Sequence, residues 1–303
     1  MAVQSSDKTA AESFAGLADL PMVPGVEHRF VDVNGLRMHV AEAGEGEPLV
    51  MLHGWPQHWY EWRHLIGPLA EHYRVICPDL RGLGWTDAPP RGYDKENLAS
   101  DVLALLDEIG IDRFRLAGHD WGGWAGYLIC MREPERVERY LALNIYPPFL
   151  PVSAGAVLRF WRFWYQWVIA APGIGAWAVR QVARDNPVLN WIGVEAWTPE
   201  DSEIFLSRLR DPARARASVQ YYRSFQLREV PAITAGRYRR EPMRTPTLLL
   251  FGTEDKVQPA AGLKGVEDRA DDLTVELVPG VGHFIADEAP DLVRDRALSF
   301  FQQ

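Results

Sequence analysis

The chain has 303 residues, of which 47% are hydrophobic and 24% charged, as is usual for a globular protein with one large domain. With 41 acidic and 32 basic residues its net charge is −9, which argues against a nucleic-acid partner. The N-terminus lacks the basic and apolar regions of a secretion signal, and no uninterrupted apolar stretch could span a bilayer, so we expect no stable membrane insertion. Cys77 and Cys130 lie in apolar contexts typical of buried free thiols, which fits a cytoplasmic location.

The first half of the chain alternates between apolar strands and helical segments. After a polar tail over residues 1–25, an Asn34–Gly35 pair between two extended segments predicts a β-hairpin. Further strands are predicted at 48–54, 74–80, 113–120 and 137–146, with helical patterns between them. Alternation of this kind predicts a mostly parallel sheet with helices on both faces.

The alternation stops after residue 146. Residues 147–241 are rich in tryptophan and arginine and carry helical patterns without a convincing strand. Strands then return at 246–252 and 273–280, and a helix closes the chain. The predicted organisation is therefore a core formed by residues 26–146 and 242–303, interrupted by a helical insertion at 147–241 that we call the cap.

The stretch "AGHDWGGW", from Ala117 to Trp124, places a carboxylate in a glycine-lined turn between a strand and a helix. This pattern is typical of a nucleophile elbow, which would push the Asp120 side chain out above the edge of the sheet. Gly118, Gly122 and Gly123 would allow strand and helix to approach closely. The helix N-terminus favours an ionised carboxylate there, although a helix N-cap is the simpler alternative.

Two further polar residues follow strand ends later in the chain. Asp255 comes just after the strand that ends at Phe251, and His283 lies in a loop after the strand that ends near Gly280. Because the carboxyl ends of parallel strands meet at one edge, we expect both side chains near Asp120. The order nucleophile, acid, histidine is that of a hydrolytic triad.

Other residues compete for these roles. Glu254 precedes Asp255, and spacing alone does not separate the two. No Asp or Glu occurs between residues 139 and 184, so an alternative position for the acid, after the strand at 137–146, is empty. Three histidines compete with His283 for the role of the base: His53, His64 and His119. His119, beside the nucleophile, is expected to point into the core.

The loop after the first parallel strand, His53–Pro56, would face the elbow. The backbone N–H groups of Trp55 and Trp121 can then converge as an oxyanion hole. The glycine-rich turn at 79–87 lacks the ending of a phosphate loop, which predicts a role in supporting the site. No histidine spacing suits zinc, and we expect neither a metal nor a cofactor.

Taken together, "HGWPQHWYEWR", "PDLRGLGWTD", "GHDWGG", "FGTEDKV" and "GVGHF" resemble the α/β-hydrolase superfamily. The chain is similar to its aspartate-nucleophile branch, the epoxide hydrolases and haloalkane dehalogenases, from about Val26 to the C-terminus. The resemblance implies an α/β-hydrolase fold with a mostly parallel eight-stranded sheet, helices on both faces and an inserted helical cap.

Epoxide hydrolases of this branch hold the epoxide oxygen with two cap tyrosines. Their first motif resembles Tyr165–Gln166 followed by Pro172–Gly173, and the second resembles Tyr222 followed by Arg223. Tyr221 is the alternative to Tyr222 if the register is shifted by one. The resemblance implies hydrogen bonds from both hydroxyls to the epoxide oxygen, and we expect substrate contacts from three further side chains: Trp121, Gln166 and Trp164.

An aspartate nucleophile suits an sp³ carbon, because a carboxylate needs no base to activate it. The resemblance therefore implies an epoxide hydrolase that forms an alkyl ester on Asp120, which water activated by His283 and Asp255 then cleaves. The expected partners are an apolar epoxide and water, and a homodimer is left open. Dehalogenation is the first alternative, since the cap has several tryptophans that could bind halide: Trp161, Trp164, Trp167, Trp177, Trp191 and Trp197. A ligand sensor with a silent triad is the second.

Overall fold

The computed structural model describes residues 19–150, 164–184, 196–239 and 243–303, which form an eight-stranded sheet flanked by helices. Along the sheet the strands follow the order β1-β2-β4-β3-β5-β6-β7-β8. Strand β2 pairs antiparallel with β1 and β4, and every other pairing is parallel. The strands are β1 Glu27–Val33, β2 Leu36–Ala43, β3 Pro48–Leu52, β4 Arg74–Pro78, β5 Phe114–His119, β6 Val137–Leu143, β7 Thr247–Gly252 and β8 Leu273–Val278.

Strands β1 and β2 form the predicted hairpin. Val33 pairs with Leu36 across a two-residue turn, in which Asn34 has φ 51° and Gly35 has φ 77°. Positive φ at both positions is what a type I′ turn requires, and Asn–Gly is the pair that adopts it most easily. The hairpin prediction is confirmed.

The helices lie on both faces of the sheet and in the cap. Those before the cap are α1 Arg63–Ala70, α2 Lys95–Glu108 and α3 Asp120–Arg132. Those of the cap are α4 Trp164–Ala170, α5 Gly175–Val182, α6 Pro199–Ser207, α7 Pro212–Ser224 and α8 Val230–Thr234, with a π-helical turn at Phe225–Glu229 between the last two. Helices α9 Ile285–Glu288 and α10 Pro290–Phe301 follow β8. The described part of the insertion is thus helical, as expected, while the boundaries at 146/147 and 241/242 stay a prediction.

The sheet is buried on both faces. Along β3, Val50 and Leu52 belong to one hydrophobic cluster, and Leu49 and Met51 belong to the other. Because successive side chains of a strand point to opposite faces, this alternation places one cluster on each side of the sheet. One cluster includes residues of α2, α3 and the cap, and the other includes residues of α1 and α10.

Strand β6 ends earlier than the sequence pattern suggests. It stops at Leu143, and Asn144 takes a positive φ of 42° that turns the chain away from the sheet. Within the described residues no helix is long and apolar enough to cross a membrane, and no group of three or more His, Cys, Asp or Glu could hold a metal ion. Both cysteines are free and buried.

Candidate active site

Asp120 occupies a strained turn between β5 and α3. Its φ of 47° is unusual for a residue with a side chain, and its side chain is buried in the turn. The glycines make room for this turn: a Cβ at Gly118 would lie 2.8 Å from Gly123 Cα, and one at Gly122 would lie 2.3 Å from the carbonyl oxygen of Leu52. Asp120 is the first residue of α3, after the N-cap, so its carboxylate is not the helix cap.

The loop after β3 contacts this carboxylate directly. The backbone N–H of Trp55 donates to Oδ2 of Asp120 at 3.0 Å. The Trp55 indole N–H donates to Ser218 Oγ on α7, at 3.0 Å, and so connects the loop to the cap. One of the two donors expected for an oxyanion therefore lies at the carboxylate.

Asp255 and His283 form a buried pair. Nδ1 of His283 lies 2.9 Å from Oδ2 of Asp255, and Oδ1 accepts the N–H groups of Val257 and Gln258 at 2.7 and 2.8 Å. Burial raises the pKa of Asp255, but His283 and the hydrogen bonds outweigh this and hold it below its usual range. Glu254 is exposed, so the geometry favours Asp255 as the partner of the histidine.

Asn144 completes this pair and was not predicted from the sequence. Its amide Nδ2 donates to Oδ2 of Asp255 at 2.8 Å and to the Gly282 carbonyl at 3.0 Å. Its Oδ1 accepts the N–H of Gly252 at 3.1 Å. Asn144 thus occupies the position after β6 where the sequence has no acid. The sequence feature that pointed to it is a polar residue directly after an apolar strand.

His119 faces away from the nucleophile and contacts acceptors with both ring nitrogens. Nδ1 lies 3.0 Å from Glu61 Oε1, and Nε2 lies 2.9 Å from the carbonyl oxygen of His283. Burial lowers the pKa of His119, but Glu61 and Asp120 outweigh it and raise the pKa to about 9. The other oxygen of Glu61 accepts the N–H of Gly54 at 2.9 Å. His119 is buried in the core, and Glu61 is a partner that the sequence did not reveal.

Neither of the other two competing histidines contacts Asp255 among the described residues. His53 is buried, and its Nε2 accepts the backbone N–H of Leu80 at 2.9 Å and lies 3.8 Å from Oδ1 of the buried Asp79. His64 lies on the exposed side of α1. Within the part of the chain that the structure describes, His283 is the histidine that pairs with a buried acid after β7.

Two buried tyrosines of the cap lie over the elbow. The rings of Tyr165 and Tyr222 meet edge to face with centroids 6.0 Å apart, and Tyr222 packs against Trp55 and Trp121 at 5.3 and 5.6 Å. Burial raises the pKa of both hydroxyls, and the charge of Asp120 raises it further. Tyr221 instead donates its hydroxyl to the Arg81 carbonyl at 2.9 Å, so Tyr222 is the candidate of the two.

Comparison with known proteins identifies the family of this chain. The family described as alpha/beta hydrolase fold matches residues 47–290. The chain belongs to this α/β-hydrolase family. It is 30% identical to the "Soluble epoxide hydrolase" of Corynebacterium sp. (strain C12), over 91% of this chain and 97% of that protein. It is 28% identical to the "Fluoroacetate dehalogenase" of Burkholderia sp, over 89% of this chain and 92% of that protein.

A solved structure agrees as well. "Epoxide hydrolase CorEH without ligand" superposes with a TM-score of 0.78 at 30% identity, covering 91% of this chain and 99% of that one. The predicted fold and the predicted resemblance to epoxide hydrolases are confirmed.

The remaining predicted contact residues of the α/β-hydrolase fall into two groups. Trp121 and Gln166 are buried, and Gln166 Nε2 donates to the Tyr165 hydroxyl at 3.3 Å. Trp164 is 45% exposed on the opposite side of α4, and its contact with substrate stays a prediction. The helical period explains the difference, because Trp164 points away from the side that Tyr165 and Gln166 share.

The cap tryptophans offer no evident halide site in the described residues. Trp167 and Trp177 are 52% and 61% exposed. Trp197 is buried, but its indole N–H donates to Oδ2 of Asp287 at 2.9 Å. Trp161 and Trp191 lie outside the described residues.

The glycine-rich turn at 79–87 supports the loop that faces the elbow. The buried Asp79 carboxylate accepts the backbone N–H groups of Trp59 and Trp85, each at 2.8 Å. A Cβ at Gly84 would lie 2.1 Å from Oδ2 of Asp79, and φ there is +48°, so glycine is required. This arrangement agrees with the structural role expected for the turn.

Proposed function

We propose that this α/β-hydrolase converts an apolar epoxide to a vicinal diol through an ester on Asp120. The observation that carries the proposal is the pair Tyr165 and Tyr222, buried over the elbow with neither hydroxyl donating a hydrogen bond among the described residues. Two phenol donors beside a carboxylate suit a strained cyclic ether, whose oxygen needs protonation as it leaves carbon. The epoxide-hydrolase names of the relatives support the same reaction.

In the first half-reaction, an oxygen of Asp120 attacks a ring carbon of the epoxide. The ring C–O bond breaks, its electron pair goes to the ring oxygen, and a proton comes from Tyr165 or Tyr222. Because burial raises the pKa of both phenols, they are protonated at neutral pH. The product of this half is a hydroxyalkyl ester of Asp120.

In the second half-reaction, His283 takes a proton from water and the resulting hydroxide attacks the ester carbonyl carbon. Asp255, oriented by Asn144, fixes the tautomer of His283 through Nδ1. The backbone N–H of Trp55 already lies at Oδ2 of Asp120, where the tetrahedral oxyanion would form, and the N–H of Trp121 is the proposed second donor. Collapse of this intermediate breaks the bond to the alkyl oxygen, which takes up the proton of the new carboxyl group, so the diol leaves and the Asp120 carboxylate is restored. The proton that His283 took from water then returns the deprotonated tyrosine to its neutral form.

Isotope labelling in a single turnover tests the ester. With enzyme in excess over styrene oxide in ¹⁸O water, we expect the first diol to be unlabelled and Asp120 to gain the label, since the new diol oxygen comes from the carboxylate. Label in the first diol would show direct attack by water and overturn the proposal. Asp120→Asn, which lacks the nucleophile, is the control for labelling elsewhere in the protein.

Dehalogenation stays the second candidate because a fluoroacetate dehalogenase is among the relatives and the buried Trp121, directly after Asp120, carries an indole N–H that suits a halide. Release of halide from haloalkanes without diol formation from epoxides would favour it. The paired Asp255 and His283 argue against a silent sensor.

We also propose a cytoplasmic location, since a reducing compartment keeps Cys77 and Cys130 free. The homodimer stays a prediction.

A further inference from the structure

Lys95, the first residue of α2, buries its ammonium group beside the elbow. The residue is 0% exposed, and Nζ donates to the carbonyl oxygen of Tyr221 at 2.6 Å. Ser224 Oγ lies 3.4 Å from Nζ, and the centroid of a Trp121 ring lies 4.2 Å away. The ammonium thus faces a carbonyl, a hydroxyl and the face of an indole.

This buried charge has no ion-pair partner within the described residues. The nearby Glu229 accepts the backbone N–H of Lys95 at 3.0 Å rather than the ammonium, and its other oxygen is buried without a partner. Burying a lysine charge is costly unless neighbouring dipoles or aromatic faces stabilise it. Fold stability alone therefore does not explain an unneutralised cation at this position.

Lys95 contacts Trp121 and the peptide unit before Tyr222, two residues that the proposed reaction uses. Trp121 directly follows Asp120, and the Tyr221 carbonyl belongs to the peptide unit that leads into Tyr222. The Tyr222 ring packs on Trp121 at 5.6 Å. The π-helical turn at Phe225–Glu229 begins three residues later, and such turns are frequent at functional sites.

We propose that Lys95 is a positioning residue whose buried ammonium polarises Trp121 and Tyr222 toward the oxygen of the opening epoxide and so speeds formation of the Asp120 ester. This inference rests on the proposed function. A cation on the face of an indole withdraws electron density from the ring, and a fixed positive charge in a site of low dielectric stabilises a developing alkoxide. Ester hydrolysis places its negative charge at the backbone N–H groups of Trp55 and Trp121, whereas Lys95 faces the indole ring of Trp121, so this step depends less on Lys95.

The charge of Lys95 is sensitive to pH. Burial lowers the pKa of Lys95 to about 8, against the opposing effects of Glu229, Asp120 and Asp94. The titratable groups that face Lys95 from other elements are Glu229 on the π-helical turn, Asp120 on α3, and Tyr221 and Tyr222 on α7. Burial raises the pKa of both tyrosines well above the usual value. Above this pH the ammonium becomes neutral first, so ester formation should slow on the alkaline side.

Rapid-quench mass spectrometry of the Asp120 ester, with styrene oxide as the probe, measures both half-reactions. For Lys95→Met we expect ester formation to slow about tenfold at pH 7, ester hydrolysis to change less than about threefold, and the alkaline decline to disappear. Lys264→Met, which removes an exposed lysine, is the matched control and should behave as the wild type. Ester formation within twofold of wild type, or an equal loss in both steps, would overturn the inference.

Lys95→Arg keeps the test informative if the methionine variant fails to fold. A guanidinium stays charged to high pH, so ester formation in this variant should hold its rate between pH 8 and 10, where the wild type declines. A decline matching the wild type would contradict a role for the Lys95 charge. If the wild type itself forms no ester, the proposed function fails, which is a different result from an ester that forms independently of Lys95.

Discussion

His119 forms a buried pair with Glu61, and its second ring nitrogen faces the backbone carbonyl of His283. Against the effect of burial, Glu61, Asp120 and this carbonyl raise the pKa of His119, which favours the charged ring. The pair therefore links three segments: the elbow, the loop of Gly54 and the loop of His283. Each of these segments carries a residue of the proposed reaction: Asp120, Trp55 and His283, respectively. The ion pair thereby fixes the distances among them without touching the substrate.

This pair predicts a pH dependence of stability. The pKa of His119 is about 9 in the fold against 6.5 in the unfolded chain, so its contribution is complete below pH 6.5 and is lost as pH rises through 9. Glu61→Gln should cost about 3 kcal/mol of unfolding free energy near neutral pH and flatten that decline. Urea unfolding at pH 6.5, 8 and 9 measures both effects, with the exposed Glu254→Gln as control. An unchanged slope in Glu61→Gln would contradict the assignment.

At the level of the element, α7 separates two adjacent tyrosines by about 100° of rotation. Tyr222 faces Tyr165 and the elbow, whereas the Tyr221 hydroxyl binds the Arg81 carbonyl. We expect Tyr222→Phe to lower kcat about a hundredfold with little change in melting temperature, since it removes a donor to the epoxide oxygen.

The neighbouring substitution is the matched control. Tyr221→Phe should cost about 1 kcal/mol of stability through its lost hydrogen bond and leave kcat within about threefold of the wild type. Steady-state kinetics on one epoxide and thermal unfolding of both variants show which of the two tyrosines acts on the epoxide oxygen. A greater loss of kcat in Tyr221→Phe would reverse the assignment of the two residues.

The elements were predictable where their signal is local. The Asn34–Gly35 turn, the presence of the apolar strands and the glycine-lined Asp120 elbow each depend on a few consecutive residues. Asn144 was not predictable in this way, because it meets Asp255 from 111 residues away. The same holds for Lys95, which meets Tyr221 across 126 residues, and for the outward direction of Trp164, which depends on how α4 docks.

In the whole molecule, a buried polar cluster connects the cap to the core. Arg63 is the first residue of α1. Its Nε lies 3.0 Å from Oδ1 of Asp201 on α6, and its Nη1 lies 2.6 Å from Oδ1 of Asp287 on α9. Asp287 also accepts the Trp197 indole N–H and the amide of Gln57. Burial raises the pKa of Asp287, although Arg63 and Trp197 oppose the shift. The cluster thus attaches the cap residues Trp197 and Asp201 to the core.

Removing the cation of this cluster should release the cap. Arg63→Met leaves Asp287 and Asp201 without their buried partner, so we expect unfolding free energy to fall by about 3–5 kcal/mol and hydrogen exchange to rise first in α6. Arg294→Met breaks an exposed pair with Asp291 and should change stability by less than about 1 kcal/mol. If exchange in α6 rose no more than in β5, which lies in the core, Arg63 would stabilise the whole fold rather than the attachment of the cap.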